Sequence, residues 1–243
     1  MQKDSLPMSP EFYYLITGAS SGIGYATALH LAANPSNCII ALARSTSKLQ
    51  TLAQAAPHKN IRPLPFDLEN GKTEDLIQEL QKNGVTHLNA IIHNAGMLVN
   101  RTFADITPAE LKRCYQVNVF SPFLVTQTLL PLLRKAGRSH VVHISSVGGV
   151  QGSVKFAGLS AYSSSKGALS VLTECLATEL SEDKISVNCL ALGAVQTEML
   201  SAAFPGYEAP LKAEQMGEFV SWFTLNGHRF FNGKILPVAL STP

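Results

Sequence analysis

The sequence predicts an α/β fold: a doubly wound, mainly parallel seven-stranded sheet with helices on both faces. Short apolar runs alternate with longer mixed segments from Phe12 to the C-terminus, the order of a chain that alternates strand and helix through right-handed crossovers. Those runs are near-continuous rather than alternating, as in strands covered on both faces. No repeat, low-complexity tract or linker interrupts the 243 residues, so a single domain is expected over 11–243, after a polar, Pro-containing extension over 1–10.

Each element follows in order. Phe12-Tyr-Tyr-Leu-Ile reads as the first strand, with a helix over 22–33. Cys38-Ile-Ile-Ala-Leu-Ala is the second, with a helix over 46–56. The run Ile61 to Phe66 is a third, interrupted by two prolines, and a helix over 72–82 follows. Leu88-Asn-Ala-Ile-Ile and Val141-Val-His-Ile flank one long helix over 108–135. A helix over 161–181 leads to Ile185-Ser-Val-Asn-Cys-Leu, and a helix over 211–225 to the last strand, Ile235-Leu-Pro-Val-Ala-Leu. Within 161–181, Leu169, Leu172, Leu176 and Leu180 form an apolar stripe that could pack on the sheet or on a second subunit.

Composition excludes several classes. A net charge of +2 is too small to argue for nucleic acid or an anionic membrane surface. No apolar run reaches the roughly 18–20 residues of a membrane span. The N-terminus lacks the charged-then-apolar pattern of a signal peptide, so the cytoplasm is expected. The cysteines 38, 114, 175 and 189 form no Cys-x-x-Cys pair and read as free thiols, and the histidines lack metal-ligand spacing.

Two local patterns carry chemistry. Gly18, Gly22 and Gly24 punctuate Thr17-Gly-Ala-Ser-Ser-Gly-Ile-Gly between the first strand and first helix. Glycines there permit a tight turn and close approach of a pyrophosphate, and the helix N-terminus presents unpaired N–H groups to it. Tyr162 and Lys166 lie four residues apart, about one helical turn, so phenol and ammonium share a face. The ammonium is expected to lower the tyrosine pKa, which suits a group that exchanges a proton with a carbonyl or alcohol oxygen.

With these two patterns stand Asp67-Leu68, Asn94-Ala-Gly96, Asn118, Ser145-Ser146 and Gly193-Ala-Val-Gln-Thr197. In this order and over this span, the chain resembles the short-chain dehydrogenase/reductase family in its classical type, and within it the small NADP-dependent carbonyl reductases of the sepiapterin or benzil kind. The resemblance implies a single-domain Rossmann fold, a homodimer or homotetramer, and a small carbonyl or alcohol substrate. It places cofactor contacts at Gly18, Ser20, Ser21, Gly22, Ile23 and Gly24, at Asp67 and Leu68 for the adenine, and at Asn94, Ala95 and Gly96 beside the adenosine ribose. Tyr162, Lys166, Gly193, Val195 and Thr197 complete the set, with Thr197 on the nicotinamide carboxamide. The catalytic group it implies is Asn118, Ser146, Tyr162 and Lys166. Tyr162 is the proton donor, Ser146 stabilises the oxyanion, Lys166 tunes Tyr162 and binds ribose, and Asn118 holds a helix kink and a relay water.

The cofactor is expected to be NADP(H) rather than NAD(H). The acidic position that bonds a ribose 2′-hydroxyl falls at Ala43, and Arg44 follows, able to pair with a 2′-phosphate beside the hydroxyl of Ser45. The chain departs from the family in places. Three extra residues lie between Ser146 and Tyr162, in a glycine-rich stretch that brings Lys155 and Phe156 to the expected substrate mouth and leaves Ser145 and Ser153 as alternatives to Ser146. The usual Pro-Gly before Thr197 is Leu192-Gly193, and the substrate loop is expected over 198–210. Rival readings are a non-catalytic NADP-binding sensor or scaffold and a 3-oxoacyl-carrier-protein reductase. The latter would use Arg134, Lys135 and Arg138 as a basic patch.

Overall fold

The computed structural model describes residues 11–242; the extension expected over 1–10 lies outside the described residues. Strand β1 (Phe12–Thr17) runs into α1 (Gly22–Ala32), β2 (Asn37–Ala43) into α2 (Thr46–Ala55), and β3 (Ile61–Pro65) into α3 (Glu74–Lys82). Then come β4 (Ala90–His93), α4 (Pro108–Tyr115), α5 (Ser121–Lys135), β5 (Ser139–Ser146), α6 (Ser160–Glu179) and β6 (Ile185–Leu192). A two-residue strand β7 (Val195–Gln196), α7 (Glu198–Ala203), a matching β8 (Leu211–Lys212), α8 (Ala213–Asn226) and β9 (Ile235–Val238) complete it.

The main sheet has seven strands in the order β3-β2-β1-β4-β5-β6-β9, and every neighbouring pair is parallel. The near-continuous apolar runs have a direct cause. In β1, Tyr14 and Ile16 enter one core with α1, α2 and α8, whereas Tyr13 and Leu15 enter a second with α3, α5 and α6 on the opposite face. From β1 the chain winds outward to β3, then returns to place β4 beside β1. That reversal opens a crevice beyond the carboxyl ends of β1 and β4, the position at which such sheets bind ligands.

One expected element differs. The helix predicted over 108–135 is broken by a π-helical turn, Gln116–Phe120. Pro122 removes the N–H that would have continued the ladder to residue 118, and the Ser121 N–H reaches back five residues to the Gln116 carbonyl. The Ser121 hydroxyl also donates to the carbonyls of Gln116, at 2.7 Å, and Leu68, at 2.6 Å, tying the break to the loop after β3. The expected substrate loop holds α7, and the β7–β8 pair closes its neck. Of the leucine stripe, Leu169 and Leu180 are buried within the chain.

Candidate active site

The crevice is one cavity of about 750 Å³. It runs from the ends of β2 and β3, across the glycine turn, to the ends of β5 and β6.

At the first end the wall is mostly backbone. Gly18 has φ +67°, and a Cβ there would lie 2.8 Å from the Ala95 Cα. A Cβ on Gly24 would lie 2.3 Å from Asn94 Nδ2 and 2.6 Å from the Gly18 carbonyl oxygen. Asn94 Nδ2 donates to the carbonyls of Thr17 (3.0 Å) and Gly18 (3.2 Å), and the Ala95 N–H donates to Thr17 Oγ1 at 3.0 Å. The Asn94-Ala-Gly96 segment thus locks the turn as well as lining the cavity. No side chain caps α1 at Ser21, and no acidic residue stands in its first turn, so its positive end is left to the crevice.

Arg44, Ser45 and Lys48 stand beyond the turn at the end of β2. Asp67, after β3, accepts hydrogen bonds from the Glu69 N–H and Asn70 Nδ2, both at 2.9 Å. The Asn70 bond, with Arg44 assisting, holds its carboxyl below the usual range. Arg113 pairs two-pronged with Glu69, at 2.7 and 3.2 Å, across the same end.

The second end is built by β5, α6 and the π-turn. Lys166 Nζ donates to the Ile144 carbonyl at 2.8 Å and sits 5.8 Å from the centre of the Tyr162 ring. Lys166 is buried, and burial lowers its ammonium to about 8. The expectation for Tyr162 is corrected here. Although part of its ring faces the cavity, burial raises the phenol to about 12, against a smaller opposing pull from the Ser146 hydroxyl. Helical spacing predicts that the two side chains share a face. Their depth decides the pKa, because desolvation disfavours phenolate and ammonium alike.

The three candidate serines separate by their partners. Ser145 Oγ is buried and donates to the Lys166 carbonyl at 2.9 Å. Ser153 Oγ turns into its own loop, donating to the carbonyls of Val147 and Val150. Ser146 accepts from the Gly148 N–H at 3.2 Å and stands beside the Tyr162 phenol in the cavity. Asn118, fully buried at the π-turn, accepts from the Met97 N–H and donates to the Met97 carbonyl, both at 2.8 Å, and reaches Ser165 Oγ at 2.9 Å. It therefore clasps the segment after β4 from behind the cavity. Thr197 caps α7 through the Leu200 N–H, at 3.2 Å, with its side chain against Gly22. The loop that lacks the Pro-Gly pair is steadied by β9, where the Gly193 N–H donates to the Val238 carbonyl at 2.9 Å.

Of the residues the resemblance assigns to catalysis or cofactor contact, all but Gly24 and Asn118 line this cavity, and those two lie behind it; Ser153 does not line it either. Lys155 does not reach it: its ammonium donates to the Val150 and Ser153 carbonyls at 2.7 and 3.1 Å. Lys48, Glu69, Arg113, Met97, Leu98, Val117 and Leu159 line it without having been singled out. Lys48 had a signal, a second cation in the first turn of the helix that follows Arg44. The patch of Arg134, Lys135 and Arg138 precedes β5, whose other end carries Ser146, so about 23 Å of strand separates patch and cavity. Arg134 is moreover paired with Asp183 at 2.8 Å.

The family model for short chain dehydrogenase matches residues 13–208. The chain belongs to the short-chain dehydrogenase family. The uncharacterized oxidoreductase YciK of Escherichia coli K12 is 35% identical to this short-chain dehydrogenase, over 79% of this chain and 76% of the relative. Versicolorin reductase stcU of Emericella nidulans is 28% identical over 86% of this chain and 80% of its own. Among solved structures, a short chain dehydrogenase from Shigella flexneri complexed with NADP superposes with a TM-score of 0.84 at 28% identity, covering 96% of this chain and 99% of the other. Among the described residues no helix is long and apolar enough to cross a membrane, and no cluster of ligating side chains could hold a metal ion.

Proposed function

We propose that the protein is an NADP(H)-dependent oxidoreductase that interconverts a carbonyl compound and its alcohol, with Tyr162 as proton donor and acceptor. The observation that carries this reading is a single cavity that joins an uncapped helix N-terminus and Arg44 at one end to Ser146, Tyr162 and Lys166 at the other. From β2 to β5 is three inter-strand steps, about 14 Å, a span that suits an extended dinucleotide. The residues fit this cofactor. The bare first turn of α1 suits the pyrophosphate. Arg44, with Ser45 and Lys48 beside it and no carboxylate at Ala43, suits a 2′-phosphate. The NADP complex of the Shigella relative supports the same choice.

Bound NADP(H) supplies or accepts the hydride at the substrate carbon. In the reducing direction Tyr162 Oη releases its proton to the substrate oxygen as charge develops there, and Ser146 Oγ donates a hydrogen bond to the same oxygen. A phenol near 12 is fully protonated at working pH, as a donor must be. The Lys166 ammonium, 5.8 Å from the ring centre, favours the resulting phenolate by its charge. Asn118 holds the π-turn and the Met97 segment, so that Gly96 stays close against Lys166; a Cβ on Gly96 would lie 3.5 Å from Nζ.

The test is Tyr162→Phe, followed by NADPH oxidation against a carbonyl panel and by NADPH binding through nucleotide fluorescence. Turnover is expected to fall by about a thousandfold or more, within the range for loss of a general acid, with binding retained. Equal turnover in both proteins would refute the role of Tyr162. Binding without turnover in either protein would favour the sensor reading.

A further inference from the structure

The charged side chains of the cavity are unevenly placed. Arg44, Lys48, Asp67, Glu69 and Arg113 all belong to the end formed by β2, β3 and α4. Lys166 is bound to the Ile144 carbonyl, and Lys155 to its own loop. Among the described residues that line the mouth beside Tyr162, the one other charge is the exposed carboxylate of Glu198. Most of that rim is apolar: Met97 and Leu98 after β4, Phe156 and Leu159 from the glycine-rich stretch, Met199 and Phe204 from α7 and its end, with the hydroxyl of Ser163 among them. Phe156 and Phe204 meet edge to face, with ring centres 5.5 Å apart and planes at 75°, a geometry in which the pair attracts and leaves ring faces available to a third group.

One side chain joins the three rim segments. Asn100 Nδ2 donates to the Ala203 carbonyl at 2.9 Å, next to Phe204. Its Oδ1 presses on Gly158, where a Cβ would lie 2.2 Å away. The Arg101 N–H donates to the Gly158 carbonyl at 3.0 Å. The aromatic pair is therefore fixed in place before any ligand arrives.

We infer that the substrate is a neutral, largely apolar carbonyl compound bearing an aryl group, which packs against the Phe156–Phe204 pair, and that anionic carbonyl compounds are rejected. The inference rests on the reading of the site as a carbonyl reductase. A carboxylate or phosphate beside the carbonyl would enter a rim whose described residues offer it no cation beyond the Lys166 ammonium, already bound to the Ile144 carbonyl, and would face Glu198, losing its hydration without replacement.

The experiment uses the full chain, NADPH and three probes: methyl benzoylformate, benzoylformate and methyl pyruvate. The first two differ by a charge, the first and third by the ring. The expected kcat/KM for methyl benzoylformate exceeds each of the others by at least about 30-fold. Phe204→Ala should raise its KM about tenfold and leave methyl pyruvate within about twofold, with NADPH fluorescence reporting that the variant is folded. Phe156→Leu is a milder variant with the same expected direction. Asn100→Ala should raise KM with kcat held, which marks a positioning residue. Benzoylformate turned over as well as its ester, or methyl pyruvate as well as the aryl ester, would overturn the inference while leaving the reductase reading intact. No turnover of any probe would overturn both.

Discussion

At the β1–β2 end of the cavity the wall is backbone, held by hydrogen bonds between segments that follow adjacent strands. At the β5–α7 end it is side chains, held by loops far apart in sequence. Asn94 binds the Thr17 and Gly18 carbonyls directly across the β1–β4 pair, whereas Asn100 reaches Ala203 from 103 positions away. The first end has almost no freedom to vary without loss of the turn. The second can change its lining one residue at a time. A fold that binds one cofactor and many substrates needs both.

The largest expected effect breaks the first end. Gly24→Ala places a methyl against the Asn94 amide and the Gly18 carbonyl, at 2.3 and 2.6 Å, and the turn must open to admit it. Overpacking of this kind costs about 3 kcal/mol. Thermal melts should show a fall of several degrees, and NADPH titration a loss of affinity of about a hundredfold or more. Phe204→Ala, the matching truncation at the rim, should leave NADPH affinity unchanged. If the two variants affect NADPH equally, the two ends are not separable as described.

This division also explains how much was legible in the sequence. Gly18 could be placed from its glycine turn, and Asp67, Asn94 and Ser146 from the resemblance; all four stand at or just past the carboxyl end of a strand, and neighbouring parallel strands bring those ends together. The sheet and its helices were legible for the same reason. The π-turn was legible only through the resemblance, which implies a helix kink at Asn118; the element pattern alone gave one helix over 108–135, and the break is tied down by the Ser121 hydroxyl reaching Leu68, 53 residues earlier. The pKa of Tyr162 ran opposite to expectation because spacing gives the neighbour and not the depth. The rim was legible as a glycine-rich stretch that brings Lys155 and Phe156 to the mouth, beside a substrate loop over 198–210. Which of its side chains face inward, Phe156 but not Lys155, is set by contacts with Phe204 and with the Val150 carbonyl.

A second contrast lies beneath the two ends. Buried imidazoles lie along the central strands: His93 and His143 under α5 and α6, with ring centres 5.2 Å apart, and His140, near the start of β5 and away from the cavity, on the opposite face against α8. Burial lowers His93 to about 3, His140 to about 4 and His143 well below its ordinary range. Below pH 6.5 the unfolded chain takes up protons that the folded one does not. The stability these groups contribute is therefore complete above 6.5 and is lost as pH falls from 6.5 towards 3. His93 and His140 each cost about 2 kcal/mol by pH 5, and His143 acts in the same direction. Urea unfolding should give a markedly lower free energy at pH 5 than at pH 7.5. His93→Gln, which keeps a donor for Thr126, should remove about one proton from that dependence. A flat profile would mean that these rings are not buried neutral.

The smallest effect sharpens the cofactor end itself. Arg44 and Lys48 both line it, and both are exposed, yet they should not contribute equally. A guanidinium offers a planar fork to a phosphate, whereas an ammonium on a flexible stem acts as a hydrated point charge. Arg44→Ala is expected to weaken NADPH binding about 30-fold and Lys48→Ala only about threefold, with NADH binding moved by less than about twofold in either variant. Isothermal titration with both nucleotides reads all four numbers. Equal losses for the two variants would mean that the end selects by summed charge. A loss of NADH affinity in Arg44→Ala would mean that the guanidinium meets a part common to both nucleotides, not the 2′-phosphate.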